Sequence, residues 1–528
     1  MKYHTPSPSP SPPATSIIKE TGSHDIDLHK FSFTQDTSGN LHVVFVEKID
    51  DNKGILYYAR STDGGITWQI EELTTEHMPE HAILAVDKNG KAYIAYNDVD
   101  YSIPDNHKRD LYAYTNVNGI WERTLIKEAW NYWGEYGYVQ YYIPMDIIVD
   151  KDNIAHLYAR QRGWWAYGGD IWEYTYQNGS WDGPVDTGVG GGVDVDGSNS
   201  ESFHVNIKRN GDYYAVWADG YRYEYYHSPR QIYQPYILYG TRSSTSLTGA
   251  FSQYTGRSDA LRRVVSALDE ADNIYVFYNK WVGGDEYLIY PSELNWTTLA
   301  FSKNWENSTL IATTSEGQQL QPRGVTITKD STVYLLWSHY NGSKWDSSYY
   351  TYQEGGKWHA PPVFAGSGIS AAIRKNYFAT PNTFMYVYVD SHNTSDQKLV
   401  FVKYRSTKVL SLKTDKTNYS LGDVVRLEIK LNYTKDSSPV YAKFKLELVE
   451  PVGEPDVLFQ TSLFPLLPGF NVTKTLEFKI PQTFWIPEGE YAFKATLTDS
   501  LGREIDSDVA RFYVNDTLIV HYLEFDAV

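Results

Sequence analysis

The stretch Ser61-Thr-Asp-Gly-Gly-Ile-Thr-Trp68 lies between two β-rich runs, Gly54-Ile-Leu-Tyr-Tyr-Ala-Arg60 and Trp68-Gln-Ile-Glu-Glu-Leu73. Its chemistry is that of a tight hairpin. Asp63 is placed to accept hydrogen bonds from the turn's own N–H groups, and Gly64 and Gly65 permit positive φ. Trp68 restarts the strand with a large apolar anchor.

Outward from this hairpin, one unit recurs every 45 to 60 residues or so, the period of propeller blades. It consists of an apolar strand, a short polar turn and a second, aromatic-rich strand. Phe31–Asp36 with Leu41–Val46, and Ala82–Asp87 with Ala92–Tyr96, are two instances. Asp146–Asp150 with Ile154–Tyr158, His204–Lys208 with Tyr213–Trp217, Val264–Asp269 with Ile274–Tyr278, and Val325–Lys329 with Val333–Trp337 continue the series. The near-continuous apolarity of each first strand suits burial on both faces. A third strand and a Gly turn leading to a fourth complete the unit. The turns Asn116-Val-Asn-Gly-Ile-Trp121, Tyr176-Gln-Asn-Gly-Ser-Trp181 and Tyr352-Gln-Glu-Gly-Gly-Lys-Trp358 read as degenerate cousins of the first, keeping its Gly and Trp. A seventh unit, about 370–405, lacks a fourth strand, which the N-terminal segment Ser16-Ile-Ile-Lys-Glu20 is expected to supply, closing the ring. The count is seven blades, or six if the stretch 280–315 or the last unit does not form one. The predicted fold is all-β: residues 1–15 a stiff Pro/Ser linker, 16–405 the propeller, and 406–528 a separate β-sandwich of short alternating strands.

Composition bounds the function. The chain has 528 residues, 16% of them aromatic, with 46 Tyr and 16 Trp, as an all-β protein requires. A net charge of −18 argues against non-specific binding to nucleic acid or to an anionic membrane. The absence of cysteine rules out disulfides, thiolate metal sites and a Cys nucleophile. No apolar run approaches the ~18 residues that span a bilayer. The Thr5–Pro13 linker is of the kind that follows a removed signal or anchor. With nine Asn-x-Ser/Thr sequons (Asn178, Asn295, Asn307, Asn341, Asn393, Asn418, Asn432, Asn471 and Asn515), it predicts an extracellular or cell-surface protein.

The motif Ser-x-Asp-x-Gly-x-Thr-Trp at 61–68 resembles the Asp box of sialidase-like (BNR-repeat) β-propellers and matches it at every defining position. In that family the box lies on the face away from the active site, so the resemblance implies the fold and not the chemistry. The segment from Ser406 onward resembles an immunoglobulin-like accessory sandwich. The family's sialidases place an Arg-Ile-Pro motif in the first blade. Here Leu28-His-Lys-Phe31 stands in its place, and no catalytic residue carries over. Some propeller polysaccharide lyases share such repeats, with sites of His, Tyr and Arg.

Propeller topology sorts connections onto two faces. The turns Lys88–Lys91, Arg209–Asp212 and Glu270–Asn273 are short, and that face is expected to be uniformly so. The other face is expected to carry long loops: Asp98–Asp110 with His107 and Arg109, Ala129–Tyr138 with Trp133, Arg160–Tyr167 with Trp164 and Trp165, and Asp219–Arg230 with Arg222, Tyr223, Glu224, His227 and Arg230. Aromatic rings stack on sugar faces, and Arg clamps carboxylates. Six and seven positions before the short turns stand His29, Glu80 with His81, Glu201, Arg262 with Arg263, and Arg323, which would ring the mouth of the central channel.

Two chemistries are open at this stage. Glu80, Glu201 and Glu224 suit a two-carboxylate hydrolase. His81, His107 or His227 with Tyr223 suits β-elimination from a uronate glycan. Arg263, Arg323, Arg222 and Arg230, with Trp133, Trp164, Trp165 and His29, would bind substrate. The expected function is cleavage of an acidic polysaccharide or glycoconjugate, as lyase or glycoside hydrolase; the alternative is a non-catalytic glycan-binding or adhesion protein using the same face. Asp194 and Asp196, with Asn199 and Glu201, offer oxygen ligands for a structural Ca²⁺, and no other cofactor is required. The partner is a glycan, with no nucleic acid, and the chain is expected to be a monomer.

Overall fold

The computed structural model of the protein describes residues 14–21, 25–26, 31–102, 108–132, 138–162, 170–189, 203–224, 231–246, 248–257, 260–280, 298–315, 318–328, 331–354, 357–359, 362–374, 376–381, 383–390, 397–403, 410–433, 440–451, 455–467, 469–482, 487–499 and 504–515. Among them the secondary structure is entirely β. The chain divides into two units, Ala14–Tyr404 and one containing Arg405–Val528.

In the first unit, seven antiparallel sheets of four or five strands follow one another among the described residues. Their first strands share one central cavity of about 220 Å³, contributed by segments around Phe33, Leu84, Ile147, Val205, Ser266, Val325 and Ala371. The arrangement is propeller-like. Apolar cores lie between successive sheets; one joins Val44 and Leu56 of the first sheet to Leu84 and Ile94 of the second. The innermost strand Met78–Val86 is buried at every position.

A repeated aspartate builds the short turns. Asp36 Oδ1 accepts from Ser38 N and Asn40 N, both at 2.9 Å. Asp87 Oδ1 accepts from Asn89 N at 2.8 Å and Lys91 N at 2.9 Å. Asp150 and Asp269 repeat the same pair of bonds. Each bracket satisfies donors that a turn leaves without a ladder partner.

The last sheet takes its outer strand from the other end of the chain. Ala14–Glu20 pairs antiparallel with Lys398–Lys403, Ser16 opposite Phe401. The turn at 61–68 locks this strand in place. Asp63 accepts from Ile66 N and Thr67 N at 3.0 Å, and Gly65 N donates to Ser61 Oγ at 2.8 Å. Ser16 Oγ donates to Gly65 O at 2.6 Å and accepts from Trp68 Nε1 at 3.0 Å. The Trp68 ring meets Phe401 edge-on at 5.4 Å. Gly65 is required twice over: its φ is +94°, and a Cβ there would lie 2.1 Å from the Phe401 ring.

The Asn-Gly turns differ from this one. Asn118 with Gly119 and Asn178 with Gly179 are tight turns with positive φ at both residues, not loops of the 61–68 kind. What is shared is the tryptophan. Trp121 Nε1 reaches Glu71 of the preceding sheet at 2.9 Å, and Trp181 Nε1 reaches Thr115 at 3.3 Å.

The expectation of uniformly short turns fails, most of all at one connection. Between Ser370–Ala372 and Met385–Asp390 the connection is long and crosses the turn-side mouth of the cavity. Arg374 N donates to Phe33 O at 2.9 Å. The Arg374 guanidinium forks onto Asp146, with Nη2 at 2.8 Å from Oδ2 and 2.6 Å from Val205 O. Asn376 reaches Gln35 O, Tyr377 reaches Arg209 O at 3.4 Å, and Thr380 reaches Glu270 at 2.9 Å. One strap thus touches four other sheets. Burial opposes ionisation of Asp146, but the Arg374 charge wins and holds its carboxyl below the usual range.

The second unit has a three-stranded and a six-stranded sheet. Both feed one core, with Leu427 and Ile429 from the smaller and Phe444, Phe493 and Phe512 from the larger.

Candidate functional site

Four of the innermost strands are irregular at the same level. The pairing register slips between Glu80 and Ile83, between Pro144 and Asp146, between Ala260 and Val264, and between Pro322 and Gly324. Each slip is a bulge, which turns side chains out of the regular pleat. The residues it releases include His81, Met145, Arg263 and Arg323. His81 sits at φ 55°, a left-handed conformation that a histidine adopts only under local constraint. Sequence reasoning located three of these four by their distance from the short turns; the bulge explains why that level is special.

Arg263 and Arg323 occupy neighbouring first strands of the fifth and sixth sheets, and both are half-buried. Burial pushes Arg323 down to about 9. Arg263 is pushed well below its ordinary value, by burial first and then by the Arg323 charge. A guanidinium keeps its proton at neutral pH regardless. Each guanidinium presents the fork geometry that pairs with a carboxylate. The Arg323 guanidinium also lies 5.0 Å over the Trp345 ring, which orients it.

Glu80 and His81 belong to a second cluster, on the second sheet. Tyr101 donates its hydroxyl proton to Glu80 Oε1, and Arg109 Nη1 lies 2.5 Å from Oε2. His81 Nε2 is 3.9 Å from the same Oε2. The Arg109 guanidinium rests 5.9 Å over the Tyr101 ring and 5.5 Å over that of Tyr141 from the third sheet. Burial opposes the charge on Arg109, but Glu80 outweighs it and holds Arg109 above its ordinary value. Burial, then the Glu80 charge, pushes the Tyr101 hydroxyl far up, so it stays protonated and donates to Glu80. With both oxygens engaged, Glu80 serves here as an anchor. His81 is the member of the cluster whose ordinary pKa permits proton transfer near neutrality.

Tyr101 and Tyr141 escaped the sequence reading. Tyr101 stands directly after the strand Ala92–Asp100, and an aromatic at a loop root was the available signal. Arg222 and Tyr223 lie in the strand Tyr213–Glu224, opposite Tyr233 and Ile232. Glu201, His227, Arg230, Trp133, Trp164, Trp165, His29, Asp194 and Asp196 fall outside the described residues. Among the described residues no group of three or more His, Asp or Glu could hold a metal ion, and no helix is long and apolar enough to cross a membrane.

No known family's sequence profile matches the chain, and no curated protein does. Several solved structures are similar in fold. A polysaccharide lyase described as an ulvan lyase is 9% identical, with TM-score 0.47, covering 73% of this chain and 95% of its own. The α-L-arabinofuranosidase of Fusarium graminearum is 12% identical, with TM-score 0.36 and coverage of 74% and 98%. Trypanosoma rangeli sialidase is 10% identical, with TM-score 0.37 and coverage of 93% and 88%. All three TM-scores lie below 0.5, so the chemistry of this chain rests on its own side chains.

Proposed function

We propose that the protein is an exported, seven-bladed propeller enzyme, followed by an immunoglobulin-like sandwich, that cleaves an acidic polysaccharide by β-elimination. The observation that carries this reading is the Arg263–Arg323 pair, two like-charged guanidiniums delivered by bulges on adjacent innermost strands. A uronate carboxylate seated there would be clamped by charge-assisted hydrogen bonds. Neutralising that carboxylate lowers the barrier to removing the proton on the adjacent carbon. His81 takes that proton, the carbon–oxygen bond at the β position breaks, and a double bond forms between the two carbons. The departing oxygen receives a proton from an O–H donor such as Tyr101 or Tyr223. Glu80 and Arg109 hold His81 and Tyr101 in register.

Acidic polysaccharides, incubated with the full chain, should yield unsaturated ends absorbing in the ultraviolet. Arg323→Ala should lower kcat/KM by about 100-fold, the worth of a lost charge-assisted pair. New reducing ends without unsaturation would convert the reading to a hydrolase. Binding without either product would convert it to a glycan-binding protein. Full activity in both Arg263→Ala and Arg323→Ala would remove the site altogether.

A further inference from the structure

The strands Tyr213–Glu224 and Gln231–Arg242 form a long hairpin in the fourth sheet. Among the described residues only their lower parts pair with other strands. The inner neighbour pairs with Tyr213–Trp217, and the outer neighbour pairs with Ile237–Thr241. Beyond these, among the described residues, the two strands pair only with each other, as far as Glu224 opposite Gln231. A two-stranded arm of this kind is marginally stable alone and depends on how its root is held.

The root is the pair Tyr213 and Arg242, and both reach into the third sheet. Arg242 forks onto Glu173 with contacts of 2.6 and 2.8 Å and donates to Tyr158 Oη at 3.0 Å. The Tyr213 hydroxyl donates to Asp150 Oδ2 at 2.9 Å. Between the two carboxylates stands His156, with Nδ1 2.8 Å from Glu173 Oε1 and Nε2 3.3 Å from Asp150 Oδ2. His156 and Glu173 are fully buried, Asp150 is 1% exposed and Arg242 4%. Each imidazole nitrogen faces a carboxylate oxygen, and Nε2 also lies 3.1 Å from the Tyr213 hydroxyl. Both carboxylate contacts are attractive only when both nitrogens carry protons, and the cluster then balances two cations against two anions.

We propose that His156 is a proton-operated anchor for this arm. Doubly protonated, it bridges Asp150 and Glu173 and thereby fixes the two acceptors that hold Tyr213 and Arg242. Without one proton its lone pair either faces the Glu173 carboxylate or, at Nε2, draws the Tyr213 hydroxyl proton away from Asp150, and the root loosens. The groups facing it are Asp150 from the turn, Glu173 and Tyr158 from the third sheet, and Tyr213 and Arg242 from the fourth. Burial opposes the charge on His156, but the two carboxylates overcome it and raise its pKa. The anchoring is independent of the proposed activity; only the consequence for Arg222 and Tyr223, which ride on the arm, rests on that reading.

Nitrogen-resolved NMR of the histidine-labelled full chain tests the charge directly, with His156→Gln assigning the signal. Both ring nitrogens protonated at about pH 8, above the free imidazole range, is the expected result; a neutral His156 at that pH overturns the proposal. Amide hydrogen exchange at neutral pH tests the mechanical half. Arm amides should exchange about tenfold faster in His156→Gln, and a His42→Gln control should leave them unchanged. Equal protection in all three proteins overturns the anchor. Should His156→Gln fail to fold, Tyr213→Phe, which removes the hydroxyl 3.1 Å from Nε2, assigns the same signal by its shift, and the wild-type spectrum still decides.

Discussion

The first and third sheets each bury a histidine at the second position of the second strand, and the two differ in charge. His42 and His156 both follow a turn opened by aspartate, Asp36 and Asp150. In the third sheet the other ring nitrogen meets the carboxylate of Glu173 at 2.8 Å. In the first it meets the hydroxyl of Tyr58 at 2.6 Å, while Nε2 lies 3.4 Å from Asp36. Tyr58 and Glu173 occupy the same place, since Tyr58 pairs with Val44 and Glu173 with Tyr158, each two residues past its histidine. A hydroxyl can donate to a neutral imidazole, and a carboxylate cannot. Burial, with the Arg60 charge, thus outweighs the lone carboxylate of Asp36 and pushes His42 down, whereas Asp150 and Glu173 together overcome burial and leave His156 raised.

The largest expected effect comes from breaking the charged version. Glu173→Gln leaves Arg242 and His156 buried with one carboxylate between them, and should destabilise by about 3–5 kcal/mol in denaturant unfolding. Replacing the histidines separates the two sheets next. His156→Gln should destabilise by about 3 kcal/mol, because two buried carboxylates lose a counter-charge, whereas His42→Gln should remove only about 1 kcal/mol. Comparable to the His42 change are the hydroxyl deletions. Tyr58→Phe and Tyr213→Phe should each lower stability by about 1 kcal/mol, and Tyr58→Phe should also free His42 to change tautomer.

The pH dependence separates them by sign. His156 is raised, so its contribution is complete below the unfolded imidazole value and is lost as pH climbs through the folded one. His42 is lowered, so the folded protein weakens as pH falls from the unfolded value toward the folded one. Asp36, brought down to about 2 by His42 and Asn40 against the opposing effect of burial, adds stability that is lost only as pH drops through that value. Thermal unfolding across pH should therefore flatten on the alkaline side in His156→Gln and on the mildly acidic side in His42→Gln. The reverse assignment would refute the comparison.

What could be read beforehand follows from range. The Asp-opened turns, the apolar first strands and the N-terminal segment that completes the last sheet are written in short windows, where alternation and turn chemistry operate. Glu80, His81, Arg263 and Arg323 were found by counting back from those turns. The partners that give them meaning were not. Tyr101 lies 21 residues from Glu80, Arg242 lies 69 from Glu173, and Arg374 lies 228 from Asp146. Such pairs are brought together by the closing of the ring, and no local pattern announces them. The strap after Ala372 went unread for the same reason, since its hydrogen-bond acceptors belong to other sheets.

The strap has a consequence for traffic. With Arg374, Asn376, Tyr377 and Thr380 drawn across the turn-side mouth, the central cavity is a cul-de-sac. A polymer cannot thread the ring as a rope passes a pulley. Whatever reaches Arg323 must arrive and leave on the side away from the short turns.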